Sequence, residues 1–236
     1  MDISTIIIII AIVVVLVLIC LCLAIANYSL DSFYDKYSDL DKVGSESTLT
    51  TLGFFNYINK EYFNGQIKIC RTDEGVGAGA YAKGVLFLTS RSMQSDSLAS
   101  LSIIAHEMGH AQQDFSSNKL KRMTALRILG KIVGVFMFPL LIAGVIMLFF
   151  GGSWFYCGIG LLAGGLLIFI LSVIIKAITI SIEKEASKNA IVFLSEVINE
   201  KELKQCKKFL NDARLTYWGD MFKTLLGWTM LTRKRK

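Results

Sequence analysis

Long apolar runs without charge alternate with polar segments along the 236-residue chain. Residues 3–26 are long enough for a helix to cross the ~30 Å hydrocarbon core of a bilayer. Residues 132–175 also carry no charge, and Gly151 and Gly152 lie near their middle. This pattern predicts two spans joined by a short turn, with Pro139 kinking the first, while one long re-entrant segment is the alternative. About three transmembrane helices are therefore expected.

These runs divide the chain into four parts. They are an N-terminal anchor (1–26), a polar portion (27–131), a transmembrane hairpin (132–175), and a second polar portion with a basic C-terminus (176–236). The first run lacks the basic start and short apolar region of a cleaved signal peptide, so it is expected to stay as an anchor. Lysines and arginines flank both ends of the hairpin, and the positive-inside rule therefore predicts a multi-pass protein of the cell membrane with both polar portions in the cytoplasm.

Composition supports this organisation. Hydrophobic residues make up 53% of the chain and charged residues only 19%, which excludes a disordered chain. The five cysteines form no CxxC pair, so neither a disulfide framework nor a thiolate metal site is expected. The net charge of +6 is concentrated beside the apolar runs, which favours the lipid bilayer over nucleic acid as the partner. The apolar side chains within 225–231 predict an interfacial segment or a packed terminal helix. The basic tail 233–236 is expected to bind anionic lipid.

The polar portions are predicted to be mainly helical with a small β-sheet. The predicted elements are a helix over 47–59, a strand over 66–70, a flexible glycine loop over 75–79, a strand over 85–89, a helix over 97–113 with Ser95 or Asp96 as its N-cap, and helices over 177–236. The predicted fold class is thus an integral membrane protein, mainly α, with an α+β core.

The motif that carries chemistry is His106-Glu107-Met108-Gly109-His110. Residues four apart on a helix share one face, so both imidazoles of this HExxH pattern can bind one metal ion. Glu107 can then reach a water at the open metal position and act as a general base. The alternative is an ordinary surface helix. Three features argue against this alternative. These are the only two histidines in the chain, the preceding residues 98–105 are mostly apolar, and a mid-helix glycine fits the close approach of another backbone or of a substrate.

Two imidazoles make an incomplete zinc site, and the third ligand must be a carboxylate or a cysteine. Cys70 and Cys206 are weak candidates because their surroundings do not resemble ligand sites. Glu183 and Glu185 follow the hairpin, and on a helix Glu183 lies on the less polar face. A carboxylate on such a face needs a cation, although Glu183 could also be a solvated helix charge.

The motif and its surroundings resemble the YugP-type membrane zinc metallopeptidases. The resemblance rests on His106–Gln113, on the segment Glu183-Lys184-Glu185-Ala186-Ser187, and on Leu215-Thr216-Tyr217. A broader likeness to HtpX-type gluzincins includes residues 79–84, which are similar to their segment before an edge strand. The resemblance covers most of the chain after the first apolar run.

This resemblance implies a gluzincin-like metalloprotease core with one Zn²⁺ per chain. Zinc would be held by His106, His110 and Glu183, and Glu107 would act as general base and then acid. The strand over 85–89 would offer its edge to an extended peptide, and Tyr217 or Tyr81 would stabilise the oxyanion. Two positions depart from the related families: Glu185 replaces a YugP-type aspartate, and Ser187 replaces an HtpX-type aspartate that would orient a histidine.

The leading hypothesis is a membrane-embedded zinc endopeptidase that hydrolyses peptide or protein substrates, membrane proteins among them, at the cytoplasmic face. The main alternative is a non-catalytic, zinc-stabilised membrane scaffold or quality-control adaptor, which would not need Glu107. A zinc hydrolase acting on another bond is a second alternative. The sequence indicates no oligomeric state.

Overall fold

The computed structural model describes residues 3–47, 49–72 and 79–225, which form mostly helices and one small sheet. The predicted loop over 75–79 and the C-terminal segments 225–231 and 233–236 lie wholly or almost wholly outside these residues. The helices are α1 (Ile3–Asp41), α2 (Thr51–Phe63), α3 (Ser90–Gln94), α4 (Leu98–Ser116), α5 (Lys119–Val135), α6 (Met137–Leu148), α7 (Gly152–Ser195) and α8 (Glu200–Leu225). The strands are β1 (Lys68–Thr72), β2 (Gly79–Ala82) and β3 (Val85–Thr89).

Three helical stretches in the described part of the chain are long and apolar enough to cross a membrane. They are Thr5–Ile25, Lys119–Leu148 and Gly152–Ser195. Many of their apolar side chains are exposed, for example Val17, Ile132 and Leu167. Water would oppose such exposure, whereas lipid would favour it.

The chain divides into two compact units. The first comprises Met1–Asp31, Ala125–Thr179 and Thr216–Lys236, and the second comprises Ser32–Thr124 and Ile180–Leu215. Each has its own cluster of buried apolar side chains, around Met137 and Leu141 in the first and around Ile58, Leu86 and Ile104 in the second.

In the first unit, glycines join α6 and α7 as a tight hairpin. Gly151 and Gly152 adopt positive φ angles of 67° and 52° between the two helices, a conformation that glycine accepts without strain. A Cβ on Gly158 would lie 2.8 Å from the Gly144 carbonyl oxygen, so the two backbones are in direct contact. The helix before this hairpin is interrupted at Phe136, because the Pro139 ring excludes a continuous helical backbone there.

In the second unit, the sheet has the strand order β1-β3-β2, with β3 parallel to β1 and antiparallel to β2. The expectation that β3 offers a free edge is therefore wrong, because β3 is the central strand. Strand β2 was not predicted; it pairs with β3 through a two-residue turn at Lys83 and Gly84, both with positive φ.

Helix α4 follows this sheet after the short helix α3. Its N-cap is Ser97, whose hydroxyl accepts a hydrogen bond from the Ser100 amide, and not Ser95 or Asp96 as expected. Leu98, Leu101 and Ile104 are fully or almost fully buried against the core of the unit. This packing fixes the rotation of α4 and thus the direction of the side chains one turn further on.

We predict that Gly158→Ala destabilises the hairpin, because its methyl group would meet the α6 backbone. The cost of such overpacking is about 1–3 kcal/mol, and a lower melting temperature in detergent would report it. Gly160→Ala is the matched control, since a Cβ on Gly160 meets nothing within 4 Å. Equal melting temperatures for the two variants would contradict the close contact.

Candidate metal centre

Helix α4 carries both imidazoles on one face. His106 and His110 are four residues apart, and their ring centroids lie 4.8 Å from each other in an edge-to-face arrangement. The apolar turns before them are buried, so this end of α4 lies within the core of the second unit. The HExxH motif is therefore on a helix, as predicted, and its two histidines are adjacent.

The third member of the group comes from α7, which touches α4 at Gly109. A Cβ on Gly109 would lie 2.2 Å from the Ala186 carbonyl oxygen, closer than any side chain permits. The Asn189 side-chain amide is 3.5 Å from the Gly109 carbonyl oxygen and donates to it. Of the two alternatives expected at Gly109, another backbone or a substrate, the structure shows the backbone, and this contact brings Glu183 to the histidines.

The structure brings His106, His110 and Glu183 together. Glu183 Oε2 lies 3.1 Å from His106 Nε2 and 3.2 Å from His110 Nε2. One ligand atom from each residue falls within 4.8 Å of the other two, so the group could hold a metal ion. The Glu183 side chain is only 1% exposed.

The electrostatics of this group follow from burial and from the close pairing of opposite charges. Burial raises the pKa of Glu183, but hydrogen bonds from the two imidazoles lower it by more, so the pKa lies well below its usual range. Burial lowers the pKa of His110, but Glu183 raises it by more, and the result lies above the ordinary value. The buried carboxylate is thus ionised and requires positive charge beside it.

Two further side chains fix the orientation of the imidazoles. Gln113 Oε1 lies 3.0 Å from His110 Nδ1, while Gln113 Nε2 donates to the Ile182 carbonyl oxygen at 2.8 Å. Because a carbonyl can only accept, the Gln113 amide group must face Ile182 and its oxygen must face the imidazole. His110 therefore carries a proton on Nδ1. Ser187 Oγ lies 3.2 Å from His106 Nδ1, so it contacts the His106 ring as Gln113 contacts the His110 ring.

These contacts direct both Nε2 atoms toward Glu183, as metal-binding histidines require. The sequence analysis noted Ser187 only as a departure from related families. It did not single out Gln113 as a partner of His110, although the spacing of three residues on one helix places the two side chains on the same face.

Glu107 lies beside the histidines and contacts the sheet. Its Oε2 accepts a hydrogen bond of 2.9 Å from the backbone amide of Tyr81 in β2. The Tyr81 hydroxyl donates to Asp114 Oδ2 and accepts from the Gly84 amide, both at 2.9 Å. Burial and the Asp114 bond raise the pKa of Tyr81 to about 12. The hydroxyl therefore keeps its proton, which is committed to Asp114 and not free for an oxyanion.

Comparison with protein families gives one result that bears on this group. Residues 8–233 match the model of the family described as "Putative neutral zinc metallopeptidase". The chain belongs to this family. No curated protein and no solved structure matches it.

Two other residues named from the sequence make contacts of their own. Glu185 forms a salt bridge with Lys119 at 2.7 Å, and both side chains are exposed. Tyr217 lies in the first unit, where its ring is 5.8 Å from Arg127 Cζ and 5.4 Å from Lys176 Nζ. The catalytic role suggested for Tyr217 stays a prediction.

We predict that Gln113→Leu weakens zinc binding about 10- to 100-fold, because His110 loses the acceptor that orients its ring. Competition with a zinc chelator measures this affinity. Gln112→Leu is the matched control, because Gln112 is the neighbouring residue and its side chain is partly exposed. Equal affinities of the two variants would show that Gln113 does not orient the ligand.

Proposed function

We propose that this protein is a membrane-embedded zinc endopeptidase in which His106, His110 and Glu183 hold the metal and Glu107 is the general base. Membership of the zinc metallopeptidase family supports the reaction class. The observation that carries the proposal is the convergence of the two imidazoles on a buried carboxylate with Glu107 one residue away on the same helix.

The donor set fits zinc. Two imidazole nitrogens and one carboxylate oxygen are the ligands of many catalytic zinc sites, which keep a further position open. When bound, zinc would polarise the scissile carbonyl and make water more acidic. One ion per chain would also supply the positive charge that the buried Glu183 requires.

Residues of the chain would transfer the proton and orient the metal ligands. Glu107 follows His106 on α4 and borders β2. As a carboxylate it would take a proton from water and later deliver it to the leaving amine. Ser187 and Gln113 hold the imidazoles in one orientation, so the ligands need not reorganise during the reaction.

The proposed substrate surface is the outer edge of β2, which pairs with no further strand among the described residues. In the sheet order β1-β3-β2, β2 is an edge strand, and it borders the HExxH helix through Tyr81 and Glu107. An extended peptide can add to such an edge by main-chain hydrogen bonds, which do not depend on side chains. Peptide or protein substrates are therefore favoured over other hydrolysable molecules.

The membrane location is supported by the three helical stretches of sufficient length and hydropathy. Lysines and arginines precede and follow the hairpin, for example Arg127, Lys131 and Lys176. Under the positive-inside rule they lie in the cytoplasm, and the polar segments 27–131 and 176–236 lie there with them.

A non-catalytic scaffold stabilised by zinc is the alternative, since the same three ligands could serve only the fold. Glu107 argues against it, because a structural site has no use for a base beside the metal.

We predict that Glu107→Gln retains zinc and melting temperature but loses hydrolysis of unfolded casein by at least about 100-fold, because the amide cannot take the proton. Wild-type protein treated with a chelator gives the comparison for metal dependence. If wild type with zinc does not hydrolyse casein, the scaffold alternative is favoured. If Glu107→Gln also loses zinc, the assigned role of Glu107 is wrong.

We predict that Glu183→Ala abolishes zinc binding and lowers the melting temperature, because metal binding contributes to folding. Glu185→Ala removes a carboxylate two residues away that pairs with Lys119 on the surface, so it should retain zinc and cost at most about 1 kcal/mol. Metal analysis of both purified variants measures this difference. Full zinc content in Glu183→Ala would move the third ligand elsewhere.

We predict that a cysteine placed at Ser153, at the start of α7 beside the turn of the hairpin, is labelled from outside the cell, whereas one at Ser117 is not. The background for both is a variant in which the native cysteines are replaced by serine or alanine. The reverse labelling pattern would place the metal centre on the outer face.

A further inference from the structure

Glu107, the proposed general base, accepts a hydrogen bond from the Tyr81 amide. A substrate strand that pairs with β2 would need the same N–H group. Lys83 and Gly84 form a two-residue turn, so Ala82 and Val85 are the hydrogen-bonded pair next to the turn. Antiparallel pairs alternate, and the Tyr81–Leu86 pair is therefore one that exchanges no hydrogen bonds. The Tyr81 N–H and C=O consequently point away from β3, toward the free edge.

At this free edge, Glu107 Oε2 accepts from the Tyr81 N–H at 2.9 Å. A peptide that extends the sheet at Tyr81 needs the same N–H as a donor. One N–H cannot make two strong, well-aligned hydrogen bonds at once, since both acceptors would have to lie along the same N–H direction. The peptide and Glu107 therefore compete for this group.

We propose that Tyr81 is a positioning residue whose amide holds Glu107 until a substrate strand takes its place. The proposal rests on the proposed function, in which a peptide adds to β2. Substrate pairing would take over the Tyr81 N–H and release the Glu107 carboxylate to rotate toward the water that it deprotonates. The base is thereby free only when a peptide main chain occupies the edge.

The surroundings of Tyr81 keep this amide in place while Glu107 moves. The Tyr81 side chain is buried, and its hydroxyl is bonded to Asp114 and to Gly84. Two residues earlier in β2, a Cβ on Gly79 would lie 2.5 Å from Ile104 Cδ1, so β2 packs closely against α4. Glu107 itself is only partly buried, which leaves its side chain room to change rotamer.

The test compares casein binding by two zinc-loaded, full-length variants, Glu107→Gln and Glu107→Ala. Both are neutral at this position and both lack the base, so neither turns over the substrate. The glutamine oxygen can still accept from the Tyr81 amide, whereas alanine cannot. Fluorescein-labelled, unfolded casein should bind Glu107→Ala about fivefold more tightly, as expected for removal of one competing hydrogen bond.

Hydrogen exchange of the Tyr81 amide gives a second readout. In the absence of casein, exchange should be faster in Glu107→Ala than in Glu107→Gln, and casein should slow it in both. Equal or weaker casein binding by Glu107→Ala, or exchange in that variant that casein does not slow, would overturn the proposal. Melting temperature and zinc content are measured on both variants to show that each is folded and loaded.

A matched control removes a different carboxylate. Glu107→Gln with and without Glu185→Ala should bind casein equally, because Glu185 pairs with Lys119 and has no contact with β2 among the described hydrogen bonds. Hydrolysis of the same casein by wild type distinguishes failure of the Tyr81 proposal from failure of the proposed function. Cleavage without an affinity difference overturns only the role of Tyr81, whereas absence of both cleavage and binding overturns the proposed function with it.

Discussion

The backbone contact between α4 and α7 at Gly109 is the constraint on which the candidate metal centre depends. Two members of the group lie on α4 and one lies on α7, and their separation is set by how closely these helices approach. Any side chain at residue 109 would meet the Ala186 carbonyl group and drive the helices apart. Hydrogen bonds on both sides of the contact, from Gln113 to Ile182 and from Asn189 to Gly109, tie the same two backbones together. The geometry of the ligands is thus a property of the helix pair and not of the side chains alone.

Burial of Glu183 adds an electrostatic constraint to this geometric one. A carboxylate that is 1% exposed loses its hydration, and the two imidazoles beside it offset this cost and keep its pKa low. Buried ion pairs of this kind contribute little net stability compared with apolar residues of similar size. Stability therefore does not explain why a carboxylate occupies this position. The place of Glu183 in a group that could hold a metal ion gives the carboxylate a role other than stability.

The sequence was informative where local spacing determines structure. His106 and His110 are four residues apart on a helix, so their adjacency follows from helical geometry, and the mid-helix glycine indicated a close neighbour. The choice of Glu183 over Glu185 followed from the polarity of the two helix faces, and Glu185 indeed pairs with Lys119 on the surface. In contrast, β2 was missed because four residues with three small side chains give little strand signal, and its pairing with β3 is what makes it a strand. Without β2, β3 was mistaken for an edge.

The contact between Glu107 and Tyr81 lies beyond sequence patterns, because the donor is a backbone amide that every residue except proline possesses. Its position results from two attachments of one residue to α4. The Tyr81 amide meets Glu107, and the Tyr81 hydroxyl meets Asp114, seven residues further along the helix, or roughly 10 Å at 1.5 Å per residue. Two attachment points so far apart fix both the position and the direction of β2 along α4. The small sheet contributes no described residue to the candidate metal group, yet it would determine where a peptide strand lies relative to Glu107, the proposed base.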